Sequence, residues 1–418
     1  MMKTNKSEAL KLAVIGGGAS GLVAAISAVR QAEKQGRSVK VTIYESNSRV
    51  GKKLLATGNG RCNFTNDSVE KHNFHGDADF AEKVYTRFNN ADIKAFFYSV
   101  GVFPKSDAAG RVYPMSLQAS SVLDALRCET ARLGIEEITD TMITEFRRKD
   151  SGFLLNSVYY ADKVIIAAGG KAAPVHGSDG NMLSLLKKYG IEITPLLPAL
   201  TPMQCDSFPK ILKGIRAQGR ITLRCLGRIL AEDTGEIQYT DYGLSGIPSM
   251  QVSGFAARAL YEKRGEVTAT VDSCPSMEKA ELKRELLRLI RSNPDMPGEL
   301  LLAGLMPKRL GMTILSDCSV NPSKSIGMLH EGVVDKIVSQ IKGKKYKINS
   351  VKGFNDAQVT SGGISTEGID ENTLELKMLR GAYACGEIIN VDGDCGGYNL
   401  QWAWSSGMLA GISAVREK

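Results

Sequence analysis

A short apolar run, Leu12-Ala13-Val14-Ile15, leads directly into Gly16-Gly17-Gly18-Ala19-Ser20-Gly21, and this junction constrains the fold more than any other stretch. The run is long enough for a buried parallel strand and too short to cross a membrane. The spacing G-x-G-x-x-G gives each glycine a task. Gly16 permits a tight turn, Gly18 lets backbone approach a pyrophosphate, and Gly21 lets the next helix pack close to the strand. Leu22, Val23, Ile26 and Val29 recur at helical spacing, so a helix begins where the glycines end. Its first N–H groups, Ala19 and Ser20 among them, favour an anion. A second strand, Val39 to Tyr44, ends in Glu45 beside Ser46. An acid there accepts hydrogen bonds from ribose hydroxyls and repels a 2′-phosphate, which argues against NADP at this site.

A matching segment lies near the other end of the chain. Tyr383-Ala384-Cys385-Gly386-Glu387 precedes Gly396-Gly397-Tyr398-Asn399-Leu400-Gln401. Glu387 at a strand end is similar in position to the acid with which flavoproteins commonly bind a ribityl chain or bridge to a pyrophosphate. A helix from about Asn399 to Val415 points its N-terminus at the pyrimidine end of an isoalloxazine, where it stabilises negative charge. Two such segments in one chain predict a single dinucleotide held by both ends, and that dinucleotide is FAD.

Composition fits a large enzyme. The 418 residues are 43% hydrophobic and 23% charged, enough chain for two cores. There is no run of 18 apolar residues, hence no membrane helix, and the polar Met1 to Lys11 segment lacks a signal-peptide core. Eight cysteines without C-x-x-C or metal spacing read as reduced thiols in a cytoplasmic protein. Four dispersed histidines show no metal or triad spacing, so no metal site is expected. The net charge of +8 is modest, and the densest basic run, Lys342 to Lys347, reads as a solvated loop and edge strand, not a nucleic-acid patch.

Texture changes along the chain. Residues 1–195 alternate strands and helices, and Asp162 to Gly170 is a buried strand ending in small residues, Ala168, Gly169 and Gly170, against which a nucleotide can lie. Residues 196–275 hold short strands with turns between them, a small β-barrel. Residues 276–349 read as helical, with Leu282, Leu286, Leu287 and Ile290 in one stripe. Residues 350–418 return to the nucleotide-binding texture. The expected fold is therefore α/β, a Rossmann-like FAD-binding domain built from both termini with an inserted barrel and helical bundle.

Longer motifs carry a family resemblance. Gly51 to Asn66, GKKLLATGNGRCNFTN, resembles the G-K-K-L-x-x-T-G-N-G-R-C-N-x-T-N signature of the YhiN/BaiN-like flavoproteins, also called aminoacetone oxidase family FAD-binding enzymes. Gly110-Arg111-Val112-Tyr113-Pro114 resembles their G-R-V-F-P element. Tyr239 to Gly246 resembles F-T-H-x-G-L-S-G, with Asp241 where the family has histidine. Thr360 to Ile364 and Gly386 to Ala403 resemble their C-terminal block. The resemblance implies bound FAD. It adds Lys53, Thr57, Gly58, Asn59, Gly60, Arg61, Asn63 and Ile143 to the cofactor-contacting set. From the residues alone, the Lys52 to Asn66 loop has unusual backbone angles and a cation suited to phosphates or flavin.

Three activities follow. The first is NAD(P)H-dependent reduction of a conjugated C=C in a bulky oxo compound, which the resemblance ties to oxo-bile-acid intermediates. The nicotinamide visits transiently, since no second G-x-G-x-x-G is present. The Leu- and Met-rich stretch Leu300 to Met312 is expected to line an apolar cleft for that substrate. The second is oxidation of a small amine such as aminoacetone by O₂. The third, RNA modification, calls for an RNA-binding extension beyond the C-terminal helix, and none is present. No catalytic residue is assigned; Tyr113, Tyr242 and Tyr398 are candidate proton donors.

Overall fold

A computed structural model describes residues 9–416; the first eight residues of the polar leader lie outside it. The described chain forms two compact units. One runs to Leu197 and resumes at Gln358; the other is Pro198–Ala357.

The first unit is built on a parallel five-stranded sheet. Its order is Ala382–Ala384, Lys163–Ile166, Leu10–Ile15, Val39–Tyr44, Glu136–Ile138. Four consecutive residues, Leu12 to Ile15, are buried, as a strand covered on both faces requires. Ile15 is level with Tyr44 on one side and Ile166 on the other, so the glycine turn, Glu45 and Ala167 emerge at one sheet end. Helix Ala19–Lys34 covers the sheet, and helix Tyr398–Val415 packs on that helix. A Cβ on Gly407 would stand 2.6 Å from the Ser20 carbonyl oxygen, and one on Gly411 2.2 Å from that of Ala24. Only glycine allows the two backbones this close, which fixes the C-terminal helix beside the first nucleotide turn. Trp402 and Trp404 anchor it, donating to Gly386 O at 3.0 Å and Phe64 O at 2.9 Å.

The second unit has its own core. Six antiparallel strands close a barrel: Met203–Cys205, Gly243–Ser245, Arg228–Tyr239, Arg216–Cys225, Val267–Asp272 and Lys344–Val351. The closing strand lies partly in the stretch read as helical, 276–349. It joins the barrel because Tyr346 and Ile348 alternate inward and pair with Ala269 and Val267. Helix Ile247–Tyr261 sits within the stretch read as barrel. Of the predicted stripe, Leu282, Leu286 and Ile290 are buried and Leu287 is partly buried against the same core.

The Leu300 to Met312 expectation needs correction. A short turn, Gly298–Leu300, and the helix Lys308–Asp317 are separate elements with Pro307 between them. Leu301, Leu302, Met306 and Leu310 are packed in the unit's own core, while Leu300 is exposed. The basic run is largely neutralised: Lys342 pairs with Asp272 at 2.7 Å, Lys347 with Glu266 at 3.0 Å, and Lys344 with Asp317. Among the described residues no helix is long and apolar enough to cross a membrane, and no cluster of metal-ligating side chains occurs.

Candidate flavin site

The three glycines of the first turn divide their work as their spacing predicts. Gly16 has φ +103°, and a Cβ there would meet Ala167 O at 2.5 Å; a Cβ on Gly21 would meet Gly16 O at 1.9 Å. Beside Gly18 there is nothing within 4 Å, so this is the open position of the turn. Gly18 caps helix Ala19–Lys34 without any side-chain hydrogen bond, leaving the positive end of a 16-residue helix open to an anion.

Glu45 is buried and well bonded. Its Oε2 accepts from Gly17 N at 2.9 Å; its Oε1 accepts from Asn47 N at 2.8 Å, Asn47 Nδ2 at 2.7 Å and Ser46 Oγ at 3.3 Å. Oε1 is saturated, whereas Oε2 holds one donor and keeps a second lone pair for a hydroxyl. Thr141 N donates to the Glu45 carbonyl, and Ile143, two residues on, is buried in the hydrophobic core.

The loop that follows carries unusual backbone. Gly58, Asn59, Gly60 and Cys62 all have φ between +54° and +80°. Side chains with a Cβ tolerate this at a cost of about 1–3 kcal/mol each, which surrounding structure must offset. The loop is tied to both chain ends. Lys53 Nζ donates to Glu387 Oε2 at 2.7 Å and Ala172 O at 3.1 Å. Glu387 Oε1 in turn accepts from Thr360 N at 3.0 Å, and Thr360 Oγ1 accepts the amides of Lys171 and Ala172 at 2.7 and 2.9 Å. Gly169 and Gly170 fit under Ser178 and Thr360, where a Cβ would come within 2.5 and 2.4 Å of their hydroxyls. Asn66 Nδ2 donates to Gly396 O at 3.0 Å, and Thr65 Oγ1 to Gln401 Oε1 at 2.5 Å.

Gly397, with φ +100°, begins the C-terminal helix, again with no side-chain cap. Asn63 Oδ1 is buried without a hydrogen-bond partner, 2.8 Å from where a Cβ on Gly397 would stand. A buried orphan acceptor costs about 1–3 kcal/mol unless something donates to it. With the uncapped helix start beside it and the space beside Gly18, it shows that the residues present fit a flavin dinucleotide. Asn399 fixes the preceding loop by exchanging hydrogen bonds with Gly393 at 2.8 and 2.7 Å. Leu400 is partly buried against the core.

Of the three candidate phenols, Tyr398 lies on this helix start. Tyr113 is buried with Arg61 over its ring at 5.3 Å, and Tyr242 belongs to the second unit, where Lys352 covers its ring at 4.2 Å. Asp241, in the histidine position of the resembling motif, pairs with Lys213 at 2.7 Å. Two histidines come close to these residues on folding. His75 Nε2 lies 2.7 Å from Asp394 Oδ1, on the loop leading into the helix start. His176 Nδ1 is buried without a partner while its carbonyl accepts from Asn47, next to Glu45. No local spacing signals either one, since each acquires its neighbours only on folding. Burial pushes the thiols of Cys62 and Cys385 up to about 12.

Comparison with known proteins places this arrangement. A family model described as HI0933-like protein Rossmann domain matches residues 10–413. A 3-dehydro-bile acid delta(4,6)-reductase of Clostridium scindens is 37% identical over 410 residues, covering 97% of this chain and 99% of that protein. Ribosomal RNA dihydrouridine synthases of Haemophilus influenzae and Escherichia coli are 27% and 26% identical, each covering 97% of this chain and 98% of its relative. These last relatives match this chain nearly end to end, so an RNA-modifying member of the family needs no added extension, contrary to the expectation from sequence. With a match spanning both units, the chain belongs to the HI0933-like family of Rossmann-domain proteins.

Proposed function

We propose that the protein is an FAD-dependent reductase that saturates a C=C conjugated to a carbonyl in a steroid-like oxo compound, with NADH or NADPH as electron source. The observation that carries this reading is the full-length 37% identity to a bile acid delta(4,6)-reductase. The more distant relatives fit the same chemistry, because making dihydrouridine also saturates a ring C=C conjugated to a carbonyl.

A bound flavin supplies the hydride chemistry, and the protein supplies position and electrostatics. Gly18 and the helix start behind it would hold the pyrophosphate, and Glu45 Oε2 would accept from a ribose hydroxyl. Lys53, held by Glu387, brings a cation to the same cradle. The uncapped start of helix Tyr398–Val415 would favour negative charge on a ring edge bound against it. Saturating the C=C needs a proton on the carbon that does not receive hydride. We assign that proton to Tyr398 because it is the candidate phenol at the start of this helix; burial, then Asp394 and Glu70, raise its pKa, which makes it a weaker acid than a free phenol.

A second reading, reduction of uridine in RNA, has the 26% and 27% relatives behind it. The lower identity and the acid-paired basic run of the barrel weigh against it. Anaerobic titration with NADH or NADPH should bleach the visible flavin band. A 3-oxo bile acid bearing conjugated double bonds should restore it, with two hydrogens gained per bond reduced. Reoxidation by air alone, or formation of dihydrouridine in ribosomal RNA with no reaction on the steroid, would refute the reading.

A further inference from the structure

Four large apolar side chains stand exposed together between positions 98 and 117: Tyr98 at 61%, Phe103 at 55%, Met115 at 62% and Leu117 at 41%. Soluble surfaces seldom gather such residues without a partner or ligand to cover them. Strands Pro104–Ser106 and Arg111–Pro114 pair antiparallel, with Lys105 level with Tyr113. Met115 N donates to Phe103 O at 2.8 Å and continues the ladder. Side chains alternate along a strand, so Phe103 and Lys105 share a face with Tyr113 and Met115. Tyr98 meets Phe103 edge-on at 5.2 Å.

This face also collects charge. Arg61, from the left-handed loop, lies over the Tyr113 ring at 5.3 Å, and its Nε reaches Gly58 O at 3.4 Å. Among the described residues neither Arg61 nor Lys105 has a carboxylate partner. Two acids close by in sequence are committed elsewhere: Asp107 to Arg111 at 2.8 Å and Asp67 to Lys94 at 3.1 Å. Leu117, Asn59 and Cys62 hold left-handed backbone around the face, a conformation such side chains avoid. The face is continuous with the flavin cradle, since a Cβ on Gly58 would stand 2.9 Å from Asn63 N and 3.7 Å from the Tyr113 ring.

We propose that this face is the acceptor's anion subsite: Phe103, Met115 and Tyr98 hold the apolar body of an amphipathic carboxylic acid, and Arg61 with Lys105 hold its carboxylate. The inference rests on the steroid-reductase reading and narrows it, because it makes the negative charge of the acceptor a requirement for tight binding. Apolar floor and unpaired cations on one face suit a ligand that is itself apolar at one end and anionic at the other. A guanidinium stacked on a ring is oriented before the carboxylate arrives, so less side-chain freedom is lost on binding.

The test is equilibrium dialysis of FAD-loaded protein, normalised to flavin absorbance, against deoxycholate and against deoxycholate methyl ester. Arg61→Gln with Lys105→Gln should weaken deoxycholate about tenfold, each single variant about threefold, and leave the ester at its wild-type affinity. Phe103→Ser should weaken both ligands. Lys105→Gln alone lies outside the cofactor loop and keeps the test readable if Arg61→Gln fails to load flavin. Equal losses for acid and ester, or no loss for either, would overturn the proposal. So would variants that lose NADPH or ribosomal RNA binding while holding deoxycholate normally. These affinities need no turnover. Charge-dependent binding without reduction of any enone would sink the reductase reading and leave the site, whereas reduction of a neutral enone without charge-dependent binding would do the reverse.

Discussion

Lys53 Nζ and Glu387 Oε2 stand 2.7 Å apart although 334 positions separate them in the chain. The pair joins the loop after the second strand to the turn after the last strand of the same sheet. Glu387 also receives the Thr360 amide, so three segments meet on one carboxylate.

Both partners are about a quarter exposed, so the pair contributes little to stability, roughly 1 kcal/mol or less. Its removal should act on cofactor retention. Glu387→Gln is expected to shift Tm of the apoprotein only slightly while raising the FAD dissociation constant about tenfold or more. Calorimetry of apoprotein and flavin release by ultrafiltration check this; a large Tm loss with normal flavin affinity would make the pair structural.

Gly18 and Gly21 should fail in opposite ways. A Cβ at Gly21 would stand 1.9 Å from Gly16 O, so Gly21→Ala must move the helix or the turn, and a loss of about 1–3 kcal/mol is expected. Gly18→Val has open space around it. It should leave the apoprotein's stability close to wild type and block flavin binding, because its side chain fills the approach to the turn. Urea melts of the two apoproteins beside their flavin content decide the matter.

Glu45→Gln tests whether the buried acid does more than hold its own turn. An amide at this position cannot accept at both ends, so one of the bonds to Gly17 N or to Asn47 is lost, costing about 1–3 kcal/mol. Flavin affinity should fall by more than stability does if Oε2 accepts from a ribose hydroxyl as proposed. Flavin affinity equal to wild type in a folded variant would remove Glu45 from the binding site.

The buried thiols and phenol give the alkaline limit. Burial raises Cys62, Cys205, Cys385 and Tyr239 to about 12. Groups raised on folding support the native state below their unfolded pKa and withdraw that support as pH rises towards the folded value. Stability should therefore be flat to about pH 8.5 and fall steadily from there towards 12, read by urea melts across that range. At pH 8 iodoacetamide should label exposed Cys128 first and leave Cys62 and Cys385 unmodified, as mass spectrometry of peptides would show.

Local pattern determined much of this protein. The four-residue apolar run, the G-x-G-x-x-G turn and the 3.6-residue stripe each obey a rule that spans a few neighbouring residues. So strand Leu10–Ile15, helix Ala19–Lys34 and the acid at Glu45 were legible before any folding. The start of the C-terminal helix was legible for the same reason, since its glycine pair and its apolar residues are contiguous. What only tertiary structure decided is every relationship between distant segments. Sequence reading took Lys342 to Lys347 for loop and edge strand within a helical stretch, yet Tyr346 and Ile348 close a barrel because their partners were placed by a strand more than seventy residues earlier. It took Leu301, Leu302 and Met306 for a cleft wall, but they had a core to fill. The Lys53–Glu387 pair, the His75–Asp394 pair and the orphan oxygen of Asn63 have no period or spacing to announce them. Contacts of that kind are chosen by which surfaces the packed sheet and helices bring together, and that choice is made by the whole chain's burial and not by any stretch of it.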